Sequence, residues 1–342
     1  MNCNNINHSN ESLKVRDIQI DGYPTEKAKE NKVHDMVAKI ENMPGSSEKN
    51  GQAAKKIQSK FIALSENHAF EKIENKRYQE VADQYGGYDT LILQGHEYVV
   101  PKKPEQVLSA YKELKTKISS KIVVDESIEH VKDAKKWENT AMTISELMKD
   151  AAIIKDEYAI FIKKLAEKNN GKACFGHNNQ FILKSKHSIE RKVKDDIKEL
   201  DKAESEVVSK IADSIRGSIV VATPQDITHV VKELQSSAKE KGWDITFKNI
   251  WQEDRANGYV GVHAKLKLIT PEGRIVIAEL QIHLPEIYNG TEKCIKEHNH
   301  KIFEYARIAY GPEKQGQKPQ PPSFAKKISI LQYLSHLKNI ET

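Results

Sequence analysis

The chain has 342 residues, 38% of them hydrophobic and 30% charged, so it is long enough for two domains or for one domain with a large extension. No stretch approaches the roughly 18 consecutive apolar residues of a membrane helix, and the polar first residues predict no cleaved secretory signal. The 54 basic and 49 acidic residues give a net charge of +5, which permits anionic ligands but does not by itself indicate nucleic-acid binding.

The first half of the chain predicts a polar arm followed by helices. Residues 1–52 are polar and poorly periodic, which indicates a loosely ordered arm with one short helix. Residues 53–154 predict a mainly helical domain of unknown role, with one or two short strands bounded by glycine and proline. From Ile128 the apolar residues recur every three or four positions, which predicts one long helix or two stacked helices ending at the AsnAsnGly of residues 169–171.

Past Gly171 short β-branched runs alternate with helical segments. Residues 155–310 therefore predict an α/β (α+β) domain, in which helices pack on a mixed β-sheet. The predicted strands are residues 218–223, 263–270 and 274–283, and the predicted helices are residues 189–207 and 227–239. The ThrProGluGly turn at residues 270–273 predicts a hairpin between the last two strands. Residues 311–342 predict a proline-rich linker and a C-terminal helix.

Two segments of this domain carry charged side chains at the start of a helix and of a strand. The first opens a helix that Ser185 or Ser188 can cap, and a helix start flanked by lysines can bind phosphate, although a solvated basic face is the simpler alternative. In the second, Asp213 and Arg216 adjoin an apolar strand, where an aspartate can hold magnesium and an arginine can neutralise a polyphosphate. The first segment contributes Lys184, Lys186, Ser188 and Lys192 to the candidate nucleotide-binding residues.

Two later segments add aromatic, imidazole and carboxylate groups. In residues 248–263, cations and an exposed aromatic ring surround an AsnGly turn, and they suit a nucleotide because cations bind phosphates and a ring stacks on the base. This segment contributes Lys248, Arg255, Tyr259 and His263. On the last strand Glu279, Gln281 and His283 alternate with apolar residues and share one face. A carboxylate there, facing Asp213 across neighbouring strands, would complete a magnesium site.

In their order and spacing, these four segments resemble the synthetase domain of the RelA/SpoT family of (p)ppGpp synthetases over about residues 155–308. The run ILKSKHSIERK keeps the lysines and serines of the family's R-x-K-S-x-x-S-I-x-x-K, at Lys184, Ser185, Ser188 and Lys192. Asp213 matches the aspartate that opens the next strand. KNIWQEDRANGYVGVH has the length of K-D-Y-I-x-x-P-K-x-N-G-Y-x-x-x-H, and GluLeuGlnIleHis at residues 279–283 matches E-V-Q-I-R.

The resemblance implies that ATP is the donor and that its β,γ-pyrophosphate moves to a ribose hydroxyl of an acceptor nucleotide. Asp213 and Glu279 would bind Mg²⁺, and Glu279 would assist deprotonation of the attacking hydroxyl. Arg216 joins them as a catalytic residue, and Tyr259 would stack on the acceptor base. The cations implied to neutralise the triphosphate are Lys184, Lys192, Arg216, Lys248 and Arg255.

Departures from the family pattern leave the donor and acceptor preferences open. Ile182, Ser218 and His283 stand where the family has arginines. Arg216, three residues after Asp213, gives a DxxRG arrangement that resembles toxin-like and small stand-alone members. The resemblance therefore implies a toxin or secreted effector that acts on a GDP- or GTP-like nucleotide or on the 3′ end of a tRNA.

Two other classes of function are compatible with the sequence. One is transfer of a nucleotidyl or phosphoryl group to a protein by a host-activated bacterial effector. The other is a non-catalytic nucleotide sensor whose helical half binds a partner. Residues 53–70 resemble the first half of a calmodulin-binding IQ motif, which would supply such a host activator, although an amphipathic core helix is the preferred interpretation.

Histidines and cysteines outside the four segments give weaker patterns. His34 and Asp35 resemble the HD pair of hydrolase domains but lack further metal ligands, and His300 and Glu304 have a spacing that zinc could use. For the latter pair a structural or substrate-contact role is preferred. The three cysteines, Cys3, Cys174 and Cys294, form no zinc or disulfide pattern. We therefore expect a cytoplasmic protein, or an effector delivered into a host cell.

Overall fold

A computed structural model describes residues 71–93, 96–124, 137–176, 181–255, 257–288, 295, 298–299, 302 and 323–340. The predicted arm, the IQ-like segment and the proline-rich linker lie outside the described residues, as do His34, Asp35, His300, Glu304, Cys3 and Cys294. The chain divides into two units, Met1–Ile73 and Glu74–Thr342, and the elements below belong to the second.

The second unit begins with helical residues 74–84 (α1), followed by an antiparallel hairpin and a helix. The hairpin joins β1 (Tyr88–Leu93) to β2 (His96–Pro101), so the one or two short strands predicted there are two. Helix α2 (Pro104–Ser119) starts on a proline, because the fixed φ of proline suits the first helical turn and its missing N–H group costs no hydrogen bond there. Val107, Tyr111 and Ile118 of α2 are buried in the main core.

Helix α3 (Ile144–Lys168) is the long helix that precedes the sheet. Thr143 and Glu146 form a capping box at its start, and residues 137–143 are not helical, so the apolar periodicity from Ile128 does not form one continuous helix. The helix ends at the predicted AsnAsnGly, where Asn170 has a φ of 52°. The predicted domain boundary between residues 154 and 155 falls inside α3, and the division into domains stays a prediction.

The core sheet has five strands in the order β3-β4-β7-β6-β5. The strands are β3 (Lys172–Cys174), β4 (Ile215–Val220), β5 (Asp244–Asn249), β6 (Val262–Ile269) and β7 (Ile275–His283). Strands β4 and β7 are parallel and the other neighbouring pairs are antiparallel, which confirms the predicted mixed sheet. Strand β5 was not predicted, because only Ile245 and Phe247 mark its alternation. Strand β4 begins three residues earlier than predicted.

Four more α-helices are α4 (Lys186–Leu200), α5 (Glu204–Ser209), α6 (Pro224–Glu240) and α7 (Ser323–Leu337), and a short 3-10 helix, Ile250–Gln252, follows β5. The single helix predicted over residues 189–207 is two helices, because Asp201 adopts a left-handed φ of 51° and ends α4. Helices α3 and α6 pack on each other and on the sheet. No helix among the described residues is long and apolar enough to cross a bilayer.

Candidate active site

Polar side chains of four strands form two rows across the sheet. In the first row the strand register places Arg216 of β4 beside Glu279 of β7, and Glu279 beside Lys265 of β6. The second row consists of Ser218, Gln281, His263 and Lys248. Residues that alternate with them, such as Leu266 and Leu280, are fully buried. These seven polar residues therefore share one face of the sheet, here called the polar face.

Asp213, just before β4, joins the first two sequence motifs. Lys184 Nζ donates a hydrogen bond to Asp213 Oδ2 at 2.6 Å, and Lys192 Nζ donates to Oδ1 at 3.1 Å. The backbone N–H of Lys184 donates to the Ser214 carbonyl at 2.9 Å, which fixes the start of α4 beside the strand. Ser185 caps α4, as predicted, because its Oγ accepts from the N–H of Ser188.

Burial alone would raise the pKa of Asp213, but the charges and hydrogen bonds of Lys192 and Lys184 outweigh it and lower the pKa below its usual value. A depressed carboxyl pKa stabilises the folded state above the unfolded-state pKa, and this contribution is lost as the pH falls through the folded-state pKa. Asp213 is therefore ionised at neutral pH, and its two ion pairs are intact there.

We expect Asp213→Asn to lower the free energy of unfolding at neutral pH by an amount that shrinks as the solution is acidified. The reason is that the lost ion pairs exist only while Asp213 is ionised in the wild-type protein. Urea unfolding of both proteins between about pH 7 and about pH 2 measures the difference. Asp156→Asn, at an exposed position of α3, is the control. A difference that stays constant over this range would contradict the expectation.

His263 lies between the other predicted carboxylate and a tyrosine. Its Nδ1 is 3.4 Å from Glu279 Oε1, and its Nε2 is 2.7 Å from Tyr259 Oη. With the proton on Nδ1, His263 faces Glu279 with a donor and accepts from the tyrosine hydroxyl. His263 thus lies between the Glu279 carboxylate and the Tyr259 hydroxyl.

The ring of Tyr259 is buried, whereas the sequence predicted an exposed ring. Only 8% of the residue is exposed, because His263, His283 and Tyr333 contact the ring edge-on and Arg255 lies over it, 5.8 Å from its centroid. Tyr333 belongs to α7, so the local sequence could not reveal this contact. Stacking of Tyr259 on an acceptor base stays a prediction.

His283 lies beneath the surface of the polar face. It is fully buried, its ring stacks on Tyr288 at 5.9 Å, and its Nε2 is 3.2 Å from Gln281 Oε1. A Cβ atom at Gly261 would come within 2.8 Å of the His283 ring, so only glycine fits there without rearrangement. His283 packs against Gln281, and its predicted nucleotide contact stays a prediction.

Lys265 is a site residue that the motifs did not include. It lies beside Glu279 in register, and it interacts electrostatically with Asp213, Lys192 and Lys248 as well. Desolvation and the two neighbouring lysines lower its pKa, although the carboxylates oppose that shift and the side chain retains contact with solvent. The alternation along HisAlaLysLeuLys could have assigned Lys265 to the face of His263.

The two cations predicted in the third motif share one acidic partner. Lys248 Nζ lies 2.9 Å from Glu253 Oε1, and Arg255 Nε donates to Glu253 Oε2 at 2.8 Å. Burial would raise the pKa of Glu253, but these hydrogen bonds and charges lower it. Glu253 thus neutralises part of the charge that a polyphosphate would find here. Lys186, by contrast, is 67% exposed, and its ion pair is with Glu190 of its own helix.

Helix α2 braces the loop that carries Arg255. Tyr111 Oη donates to the Gly258 carbonyl at 2.7 Å, Lys112 Nζ donates to Asp254 Oδ2 at 2.9 Å, and Lys115 Nζ donates to the Glu253 carbonyl. The three side chains are spaced on one face of α2. The helix therefore holds the loop of residues 253–258 in place beside the polar face.

We expect Tyr111→Phe to loosen the loop that carries Arg255. The variant leaves the buried Gly258 carbonyl without its donor, which costs about 1 kcal/mol and loosens the loop. If the loop binds the acceptor nucleotide, as the resemblance implies for Tyr259, KM for the acceptor should rise several-fold with little change in kcat. Kinetics and urea unfolding measure the two effects, with Tyr88→Phe as the control. An unchanged KM would mean that the loop keeps its position without this bond.

The chemistry of Asp213 and Glu279 fits a magnesium ion. Carboxylate oxygens are ligands that Mg²⁺ prefers, and Mg²⁺ is commonly held by one or two carboxylates together with substrate phosphates. In the part of the chain that the structure describes, no group of three or more His, Cys, Asp or Glu side chains is arranged to hold a metal.

Comparisons with known proteins give similarity to solved structures only. A GTP pyrophosphokinase family protein from Streptococcus pneumoniae is 17% identical, with a TM-score of 0.35, and the match covers 56% of this chain and 87% of that one. Small alarmone synthetase 1 from Bacillus subtilis, bound to its product pppGpp, is 16% identical with a TM-score of 0.35, covering 54% and 88%. No family model and no curated protein matches the chain.

Proposed function

We propose that this protein is an ATP-dependent pyrophosphotransferase, which moves the β,γ-pyrophosphate of ATP to a ribose hydroxyl of an acceptor nucleotide. The observation that carries the proposal is the convergence of four separate sequence motifs around one polar face. Lys184 and Lys192 contact Asp213, while Glu279 lies between Arg216 and Lys265 in the strand register. Such a surface combines two carboxylates with several cations, as phosphoryl-type transfer requires.

In the proposed reaction Glu279 accepts the proton of the ribose hydroxyl. The hydroxyl oxygen then bonds to the β-phosphorus, the bond from that phosphorus to the α,β-bridging oxygen breaks, and AMP leaves. His263 lies beside Glu279 in this arrangement. Asp213 and Glu279 would hold Mg²⁺, which supplies charge neutralisation at the transferring phosphates.

The cations around the carboxylates would bind the phosphates of ATP. Arg216 and Lys265 flank Glu279, so they are suited to the charge that develops on the transferred group. Lys184 and Lys192 donate to Asp213 and would also attract the negatively charged triphosphate beside it. The proposed acceptor is a GDP- or GTP-like nucleotide, with the 3′ end of a tRNA as the alternative. A toxin or effector role in the cytoplasm, of the producing cell or of a host, belongs to the same proposal.

A non-catalytic nucleotide sensor is the second candidate. The observation that favours it is that Glu253 already neutralises Lys248 and Arg255, which leaves fewer cations for a transferring phosphate. A sensor needs nucleotide affinity but not two carboxylates, so binding should survive Asp213→Asn and Glu279→Gln. Loss of magnesium-dependent nucleotide binding in both variants would instead support the enzyme.

The proposed reaction is tested by incubating the full chain with magnesium and ATP labelled at the γ-phosphate, with GDP, GTP, ATP and deacylated tRNA offered in parallel. Label on one acceptor together with an equal amount of AMP supports pyrophosphate transfer and identifies the acceptor. Adding host-cell extract to a second set of tubes tests for an activator. Label that stays on ATP in every tube, with nucleotide still bound, would overturn the enzymatic proposal in favour of the sensor.

A further inference from the structure

The hairpin of β1 and β2 has one open edge. Leu91 and Tyr98 belong to an apolar cluster with residues of α7, and Val99 belongs to the main core. At the outer edge of β2, Asn75 Nδ2 of α1 donates a hydrogen bond to the Glu97 carbonyl at 2.9 Å. Among the residues that the structure describes, β1 pairs with β2 alone. Packing therefore holds the hairpin in place, while the far edge of β1 presents backbone groups to another strand.

The alternation of the ladder shows which backbone groups face this open edge. The Glu97 carbonyl points to α1 and away from β1, so its register partner Ile92 does not hydrogen-bond to it. Pro101, the register partner of Tyr88, has no N–H to donate to β1, which agrees with the same alternation. Every second residue of β1, namely Tyr88, Thr90 and Ile92, therefore directs its N–H and C=O groups to the open edge.

The open edge lacks the usual protection against pairing. Natural edge strands commonly carry proline or lysine, or another element covers them. β1, with the sequence TyrAspThrLeuIleLeu, contains neither residue. Thr90 is exposed, and Ile92 is 69% exposed. Lys102 offsets the charge of Asp89, because its Nζ lies 3.5 Å from Asp89 Oδ1. These features make the edge a template for an added strand.

The strand is complementary to an antiparallel copy of itself. With Thr90 on a two-fold axis, Thr90 would lie opposite Thr90 of the second copy, and Tyr88 opposite Ile92 of the second copy. Each such pair would exchange both of its N–H···O=C hydrogen bonds, so every outward group from Tyr88 to Ile92 would be used. Threonine pairs, and aromatic residues opposite β-branched ones, are favourable across strands. Asp89 would lie opposite Leu91, so no like charges would meet directly. This match favours a second copy of the chain over an unrelated peptide.

We propose that the open edge of β1 pairs with β1 of a second copy of this chain, which joins the two hairpins into one four-stranded sheet across a two-fold axis. Such an interface uses the same surface on both copies, so it closes and leaves no edge of β1 exposed. One strand edge makes a contact smaller than the standard interface of about 1,600 Å². We therefore expect a reversible dimer whose fraction rises with protein concentration. The dimer does not depend on the proposed reaction.

Sedimentation velocity of the full chain without nucleotide measures the dimer fraction over a wide range of protein concentration. Thr90→Lys and Thr90→Glu should each remain monomeric, because like charges then meet on the two-fold axis. Mixed in equal amounts, the two variants should form dimers, since opposite charges then face each other. Thr116→Lys and Thr116→Glu, at an exposed position of α2, are the matched controls, and each should dimerise as the wild-type protein does.

A proline variant tests the backbone hydrogen bonds without adding charge. Thr90→Pro removes an N–H that points to the open edge and leaves the ladder to β2 intact, so this variant should fold, which circular dichroism measures, and remain monomeric. A wild-type protein that stays monomeric at every concentration would overturn the dimer and leave the edge to a strand of another protein. Dimers of any single Thr90 variant, or no dimers in the mixture of Thr90→Lys and Thr90→Glu, would assign the contact to another surface and likewise overturn the proposal.

Discussion

Replacing Glu279 with Gln should lower the rate of pyrophosphate transfer by roughly 10²–10⁴-fold, the usual contribution of a general base. Glutamine keeps the size of the side chain but can neither take the hydroxyl proton nor neutralise Arg216 and Lys265 beside it. The rate is measured from the formation of AMP and of labelled acceptor at saturating ATP. Because the change occurs on the polar face and not in the core, the variant should fold as the wild-type protein does.

Glu272→Gln is the matched control, because this exposed glutamate lies in the turn of the hairpin that contains β7. Its transfer rate should equal that of the wild-type protein. A fall in kcat with KM for ATP unchanged identifies Glu279 as the base, whereas a rise in KM as well assigns it a part in holding the magnesium–ATP complex. Full activity of Glu279→Gln would remove Glu279 from the mechanism.

Asn139→Ala should lower the free energy of unfolding by about 3 kcal/mol, the largest effect we expect for a polar residue. Asn139 is 2% exposed. Its Nδ2 donates to the backbone carbonyls of residues 208, 209 and 211, and the shortest of these distances is 2.7 Å, to the Ile211 carbonyl. Its Oδ1 accepts from the N–H of Ile277 at 2.8 Å. Alanine would remove the side-chain partner of the buried Ile211 carbonyl and of the Ile277 N–H, and Ile277 lies two residues from Glu279 on β7.

Urea unfolding measures this loss, and Asn339→Ala, at an exposed position after α7, should change stability by less than about 0.5 kcal/mol. A loss as small as that of the control would show that water replaces the Asn139 side chain. Transfer activity measured well below the unfolding transition should fall less than in Glu279→Gln, because Asn139 contributes to the position of β7 and not to the chemistry.

The motif residues were predictable from sequence because their spacing reflects local geometry. Alternation on β7 places Glu279 and Gln281 on one face, and the Ser185 cap fixes the start of α4 whatever surrounds it. The same alternation along β6 could have predicted Lys265 as a site residue. No local pattern could have predicted Glu253, because a glutamate in a turn is commonly solvated. Only the fold brings Lys248 and Arg255 to its two carboxylate oxygens.

The amino-acid sequence by itself determined three of the five core strands, the start of α2 and the end of α3, because these depend on neighbours within a few positions along the chain. The tertiary structure alone decided which charges meet. It placed α7 against Tyr259, α2 against the loop of residues 253–258, and Lys184 and Lys192 on the same carboxylate. Such contacts join residues that are distant along the chain, and their energies depend on burial and distance, neither of which the local order of residues encodes.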